Sequence, residues 1–496
     1  MKRRIYAIAT GQNQANLPSI LCLGQPKRDT VVWLETPKAS AEKWAEGAWR
    51  VLVKRGFTQE KLPLDDAVGL SPARMQGFLM VDIGRFPDAE PVFVLNGGLK
   101  QHALGVDRAA LASERLRLAY SDIGPAEIRV LEPNAEAWVT EPIRRYLSFE
   151  DWLDLNGYAH FGKPPYNRLW PRPAELMIAP GIFARYRGDA ELRRLVTRVY
   201  RELVRDADSA AAREMPSVSS WLPLKPGRAE EWEKIVRDTM GLDPATAPEL
   251  VDVKGRRFER IAGFFRKIGY ECQFENLDCA VTDEEVALLA NDGWLMPGLH
   301  RRVLTREDLT RPAFGRFFES AVAQRVVEFL ENHPESAESV AEVRLGAEVA
   351  RLGVEHAAAA EYDVAILLKN AILIHLECKA YRKLNKKDDF SRLAQWQQVG
   401  KSTVVQAICA PLFTDMVENE SFEAAHQIRM RVEEYRSLSP NFDFIAYTAE
   451  GQPLEYKWSG ANVSVVSFEE KLAKMLKPYC RNSMEEKAAT VQPAQR

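Results

Sequence analysis

The chain has no apolar run approaching the twenty or so residues that a membrane-spanning helix needs, which speaks against an integral membrane protein. A secretory leader is equally hard to find. Met1-Lys2-Arg3-Arg4 would suit its basic start, but the apolar run that follows stops at Gly11-Gln12-Asn13. Cysteine is scarce. Cys22, Cys272, Cys279, Cys378, Cys409 and Cys480 contain no CxxC spacing, so neither a zinc cluster nor a disulfide framework is supported, and a reduced, cytoplasmic setting is expected. Neither sign of charge dominates: a formal net charge of -3 argues against wholesale attraction to nucleic acid, so any such surface has to be local. Histidines are few and scattered, and internal repeats are missing. At 496 residues with 46% hydrophobic content, the chain has room for about three ordinary globular domains.

Charge stands out where it interrupts apolar sequence. Residues 360–368 read Ala-Glu-Tyr-Asp-Val-Ala-Ile-Leu-Leu, and residues 373–379 read Leu-Ile-His-Leu-Glu-Cys-Lys. The short polar link Lys369-Asn370-Ala371 suits a hairpin turn. Side chains two apart on a strand share a face, so Glu377 and Lys379 point one way and Cys378 the other. The hairpin would bring Asp363 beside Glu377 and Lys379 at its open end. Charges held at the edge of a core need a metal or a partner. Upstream, residues 314–322 start a helix that carries Glu319 early on it; downstream, residues 392–400 read as a helix and 403–409 as a buried strand.

This order resembles the core of the PD-(D/E)xK nuclease superfamily over roughly residues 305–410, with Tyr362 standing where the motif name has proline. The resemblance implies metal-dependent phosphodiester hydrolysis. Asp363, Glu377 and the Cys378 carbonyl would hold Mg²⁺ or Mn²⁺, hard ions suited to oxygen ligands. Lys379 would orient the attacking water and stabilise developing charge. Glu319 matches the superfamily's first-helix acid, and Glu361, on the same strand face as Asp363, is a further acid at the site. His375 shares a face with Glu377 by parity and would stand behind it. Lys383, Lys386, Lys387 and Arg392 form a basic stretch after the site that could contact a phosphate backbone or simply be solvated.

The first 140 residues need a separate account. Strands are expected over 5–10, 30–36 and 91–95, with a helix over 41–56; strands alternating with helices argue for a parallel α/β sheet. Small and amide residues follow two of these strands, at Thr10-Gly11-Gln12-Asn13 and at Asn96-Gly97-Gly98-Leu99-Lys100-Gln101, where such sheets place a ligand crevice. Together the two segments resemble the signature loops of a CARF domain, the CRISPR-associated Rossmann-like sensor, with Leu99 where a threonine is usual. The resemblance implies that Thr10, Gly11, Gln12 and Asn13 lie near ribose and phosphate of a cyclic oligoadenylate, most often cyclic tetra-adenylate. Asn96, Gly97, Gly98, Lys100 and Gln101 would lie opposite, and His102 follows closely enough to reach a ligand. It also implies a homodimer.

The stretch between is rich in proline and aromatic residues (Trp152, Tyr158, Phe161, Pro164-Pro165-Tyr166, Trp170-Pro171) before helical patterns at 189–206, 258–265 and 283–290. A capping box of Thr282 and Glu285 and a stop at Asn291-Asp292-Gly293 suit a winged-helix-like insert. The fold class expected is α/β multidomain: a Rossmann-like CARF domain over 1–140, a middle α+β region over 141–300, a restriction-endonuclease-like PD-(D/E)xK domain over 301–481, and a disordered tail over 482–496. The combination resembles the cyclic-oligoadenylate-activated nucleases of type III CRISPR defence, whose members act on single-stranded DNA, on RNA or on supercoiled duplex. The alternatives are a ligand-independent restriction-type endonuclease and a non-enzymatic CARF-type transcriptional regulator.

Overall fold

The computed structural model describes residues 1–122, 124–161, 167–171, 313–354, 360–379, 399, 403–412, 420–436, 442–448 and 453–480. The winged-helix-like insert, the helix expected over 189–206, the helix expected over 392–400 apart from Val399, the basic stretch and the tail lie outside the described residues.

Seven strands form the N-terminal sheet: β1 (Lys2–Ile8), β2 (Thr30–Glu35), β3 (Thr58–Pro63), β4 (Ala89–Val94), β5 (Arg117–Ser121), β6 (Glu127–Leu131) and β7 (Val139–Pro142). Their order is β3-β2-β1-β4-β5-β6-β7. The first five run parallel, and β6 and β7 extend the sheet antiparallel. A parallel sheet is buried on both faces, and the alternation in β1 and β2 shows it. Ile5, Ala7, Val31 and Trp33 enter one apolar cluster, whereas Tyr6, Ile8, Val32 and Leu34 enter the other, beneath the helices Pro72–Arg85 and Lys100–Ala112. The helix expected over 41–56 is two helices, Pro37–Ala41 and Glu46–Lys54. Lys43 turns between them with φ of +56°, which swings Trp44 against the ends of the strands.

The second sheet is mixed. It contains β8 (Tyr158–His160), β9 (Asn167–Trp170), β10 (Val340–Arg351), β11 (Ala360–Leu368), β12 (Leu373–Cys378), β13 (Val404–Pro411) and β14 (Phe442–Tyr447). The order is β14-β13-β12-β11-β10-β8, with β9 also on β10. The hairpin of β11 and β12 is antiparallel, and β12, β13 and β14 are parallel. β8 and β9 fall within the stretch read as a middle region, yet they bond to β10. A further hairpin, β15 (Leu454–Trp458) and β16 (Ala461–Val465), closes over Ser459 and Gly460, both at positive φ as a two-residue turn requires.

The helix Ala313–Asn332 packs across β10, β11 and β12 and is bolted to the helix Phe468–Leu476 by Arg325. The Arg325 side chain is 1% exposed. Its guanidinium pairs with both carboxylate oxygens of Glu469 at 2.5 and 2.8 Å and donates to the Thr448 carbonyl. The Tyr447 and Phe468 rings, edge-on to each other with centroids 5.7 Å apart, each lie 4.7 Å from it.

The two sheets share contacts through the turn of the β11–β12 hairpin. Trp152, fully buried in the helix Phe149–Leu155, donates its indole N–H to the Ala371 carbonyl at 3.0 Å. The Asn370 amide donates to the Gly124 carbonyl at 2.8 Å, and Ala126 N–H donates to the Tyr479 carbonyl at 3.2 Å. Among the described residues no helix is long and apolar enough to cross a membrane.

Candidate functional site

The acids expected to converge do so. Register pairs Val364 with Leu376 and Ala365 with His375, so the next pair outward sets Asp363 beside Glu377 at the open end of the hairpin. Both are buried, Asp363 at 9% and Glu377 at 3% exposure. The Cys378 N–H donates to Asp363 Oδ2 at 2.7 Å, which fixes the carboxylate plane. Lys379 Nζ forms a close ion pair with Glu377 Oε1. Its backbone N–H donates to the Cys409 carbonyl at 2.8 Å, so the lysine leaves from the last rung of the β12–β13 ladder. Burial, with the charges of Glu377 and Glu319 behind it, holds the Asp363 carboxyl well above the usual carboxylate range, against the pull of Lys379 and the Cys378 N–H. Glu319, half-buried on the helix, is thus close enough to act on Asp363.

Glu361 is exposed at the start of β11 and faces Glu348 across the β10 pairing. His375 is fully buried with Nε2 at 3.5 Å from Glu377 Oε2. Burial and then the Lys379 charge push its imidazole down to about 3, so it is neutral at ordinary pH and backs Glu377 without forming an ion pair. Sequence reading missed Gln406. It lies opposite His375 on β13, is fully buried, and neither side-chain amide atom has a hydrogen-bond partner among the described residues. Such a group in a strand core points to a role beyond packing.

Among the described residues, no three His, Cys, Asp or Glu side chains gather as a metal cage. The donor set at the strand ends is instead two carboxylates with the Cys378 carbonyl beside them. Like charges confined in a core are relieved by a divalent cation, and hard oxygen donors suit Mg²⁺ or Mn²⁺. The residues therefore fit such an ion.

The second candidate site is a cavity of about 620 Å³ beyond the C-terminal ends of the N-terminal sheet. It opens where β1 has β2 on one side and β4 on the other, the switch point at which open α/β sheets bind ligands. Thr10, Gly11, Gln12, Asn96 and Gly98 line it, as do Leu99 and His102. Other residues of the two loops build them. The Asn13 side chain accepts from the Thr10 N–H at 3.0 Å and donates to the Trp44 carbonyl at 2.7 Å. Asn96 braces β5 by donating to the Ser121 carbonyl at 2.6 Å and accepting from the Ser121 N–H at 2.8 Å. Lys100 and Gln101 are exposed on the first turn of the helix Lys100–Ala112, outside the cavity lining. His102, 3% exposed, accepts the Leu99 N–H on Nδ1 at 3.0 Å, and burial lowers its pKa.

Gly97 explains the absence of any side chain there. A Cβ would lie 2.5 Å from the Ile8 carbonyl oxygen and 3.0 Å from the Thr10 methyl. Gly97→Ala is expected to push the two loops apart, costing about 1–3 kcal/mol, with a melting point lowered by several degrees and weakened ligand binding. Thermal melts beside a binding titration check this; an unchanged melting point would show that the loops are not in firm contact.

No family model and no curated protein matches the sequence. Among solved structures, protein VC1899 from Vibrio cholerae aligns at a TM-score of 0.51 with 13% identity, covering 90% of this chain and 94% of that one. Can2 from Sulfobacillus thermosulfidooxidans, solved in complex with cyclic tetra-adenylate, aligns at 0.47 with 13% identity over 90% of this chain and 95% of that one. A type III CRISPR defence DNA nuclease activated by cyclic oligoadenylate aligns at 0.43 with 15% identity, over 100% of this chain and 53% of that one. The chain thus shares its fold with the Vibrio cholerae protein, and the type III CRISPR group named from its sequence is represented among the structures that align with it.

Proposed function

We propose that this chain is a metal-dependent nuclease switched on by a cyclic oligoadenylate, with cyclic tetra-adenylate as the favoured ring, in type III CRISPR antiviral defence. The observation that carries the reading is that buried Asp363 and Glu377 meet half-buried Lys379 at the open end of one hairpin. A fold does not keep two crowded carboxylates in its core for stability. In this reading Asp363, Glu377 and the Cys378 carbonyl hold Mg²⁺ or Mn²⁺, which when bound would acidify a water molecule and offset charge on the scissile phosphate. Lys379 holds the water and meets the negative charge that grows on the phosphate. Glu377 keeps the ammonium aimed, and neutral His375 supports Glu377 from the core. Glu319 adds a third negative charge to the ion's surroundings.

The cavity above β1 and β4 takes the cyclic oligoadenylate, with the Thr10–Gln12 and Asn96–Gly98 backbones against ribose and phosphate. Two copies of the chain work as a cytoplasmic homodimer, and ligand binding shifts them to a form in which the acids reach a nucleic-acid strand. The substrates are single-stranded DNA or RNA, with supercoiled duplex as a third class.

The test incubates purified protein with Mn²⁺ and labelled single-stranded DNA, RNA or supercoiled plasmid, with and without cyclic tetra-adenylate, beside Lys379→Ala. Cleavage that needs the ligand and vanishes in the variant supports both sites. Cleavage without ligand would discard the sensor, and its absence in every arm would discard the nuclease.

A further inference from the structure

The signature-like loops build two walls of the cavity above the N-terminal sheet. The third comes from elsewhere: the crossover after β2 supplies Thr36, Lys38 and Trp44, and the crossover after β3 supplies Asp65 and Asp66. Among the described residues, Trp44 is the one aromatic side chain in the lining besides the His102 ring. We propose that Trp44 is the base platform of this cavity, stacking a purine of the bound nucleotide while Lys38 reaches its phosphate. The inference rests on the reading of the cavity as a cyclic-oligoadenylate site and names the residues that would recognise the base.

Three observations fix the indole for that task. Its N–H donates to Glu42 Oε2 at 2.8 Å, which sets the plane of the ring. Its backbone is clamped from both ends: Trp44 N–H donates to the Ala39 carbonyl at 3.0 Å, and its carbonyl accepts from Asn13 at 2.7 Å. The platform is therefore tied directly to the Thr10–Asn13 loop. Gly11 lies beside the ring, where even a Cβ would already sit 3.8 Å from the indole edge. A larger residue at position 11 would occupy the space that a stacked base needs.

Charge is placed to match. Lys38 Nζ stands 5.6 Å from the Trp44 ring centroid and is otherwise engaged only by a 3.9 Å exposed pair with Glu42. An exposed cation over a ring is weakly held, so a phosphate can draw it away. On the far side Asp66 is exposed at the mouth and offers acceptors only. Acceptors there suit the exocyclic amine of adenine.

The test measures cyclic tetra-adenylate binding to the full chain by calorimetry, with Trp44→Ala and Trp44→Phe. Loss of a stacking ring is expected to weaken binding about 5- to 150-fold in the alanine variant. The phenylalanine variant, which keeps a ring but lacks the N–H, should stay within about threefold of wild type. Equal affinity in Trp44→Ala would overturn the proposal, and so would an equal loss in both variants, which would assign the effect to the bond with Glu42. A second measurement does not depend on the alanine variant folding. The fluorescence difference between wild type and Trp44→Phe isolates the Trp44 signal, and ligand should quench it; an unquenched difference signal overturns the proposal. Wild type that binds no cyclic oligoadenylate would instead overturn the function proposed for the cavity.

Discussion

Asp363→Asn will lose nucleic-acid cleavage by about a thousandfold or more while melting at or above the wild-type temperature. Removing a charge made for the transition state costs at least that much in comparable sites. Asparagine can still accept the Cys378 N–H that holds Asp363, so the local geometry survives. What it removes is a buried carboxylate pressed by Glu377 and Glu319. The sign of the pH effect follows. Below about pH 3.9 the group is protonated in the folded and unfolded chains alike. Above that value the unfolded chain releases the proton while the folded chain holds it, so metal-free stability falls as pH rises, until the raised folded value is passed. Melts in a chelator from pH 5 to 8 should therefore show a declining wild type and a flatter Asp363→Asn. Mn²⁺ should lift the wild type and leave the variant nearly unmoved, because only a bound ion stabilises by mass action. A variant that still cleaves, or that responds to Mn²⁺ as the wild type does, would remove Asp363 from the site.

Arg325→Ala is expected to be the most damaging single change to stability. It strips a fully buried guanidinium from Glu469, from the Thr448 carbonyl and from two neighbouring rings. Breaking a buried pair from one side costs about 3–5 kcal/mol, a fall of about 10 °C for a unit of this size. Arg325→Lys keeps the charge but cannot make the two-pronged contact, so it should recover only part of the loss. Arg325→Met with Glu469→Leu should recover more, since no charge is then left alone. Calorimetry on the full chain decides the matter, and an Arg325→Ala melt within about 2 °C of wild type would refute the bolt.

How legible all this was depended on how local the signal is. The β11–β12 hairpin was readable because Asp363, Glu377 and Lys379 interrupt runs that are otherwise apolar, and because Lys369-Asn370-Ala371 can only turn. The parallel sheet was readable from β1, β2 and β4, which are apolar on both faces. β3 was not: Thr58–Pro63 reads Thr-Gln-Glu-Lys-Leu-Pro and is largely exposed at a sheet edge, so no period of two marks it. The break at Lys43 was hidden because a lysine at positive φ leaves no compositional trace. Amides are ambiguous in a systematic way. Asn13 and Asn96 stand in the loops that suggest a ligand, but a short polar side chain near a strand end is equally suited to bracing its neighbour, and only coordinates tell the two apart. The third wall of the cavity was invisible for a plainer reason. Trp44 and Asp66 arrive from separate crossovers, and nothing in the sequence near either announces the other. Gln406 was read only as part of a strand, since burial without a partner is a three-dimensional property.

The turn of the β11–β12 hairpin is held by Trp152 and Gly124, and its open end carries the acids. The six residues of β12 span about 20 Å at a strand's rise per residue. A hydrogen-bonded pair of strands inside a sheet resists compression along its length far better than it resists bending. The hairpin is thus a pushrod: displacement delivered at Asn370 arrives at Glu377 as displacement, with no joint between. The N-terminal sheet and the carboxylates are therefore joined by a direct route through strand.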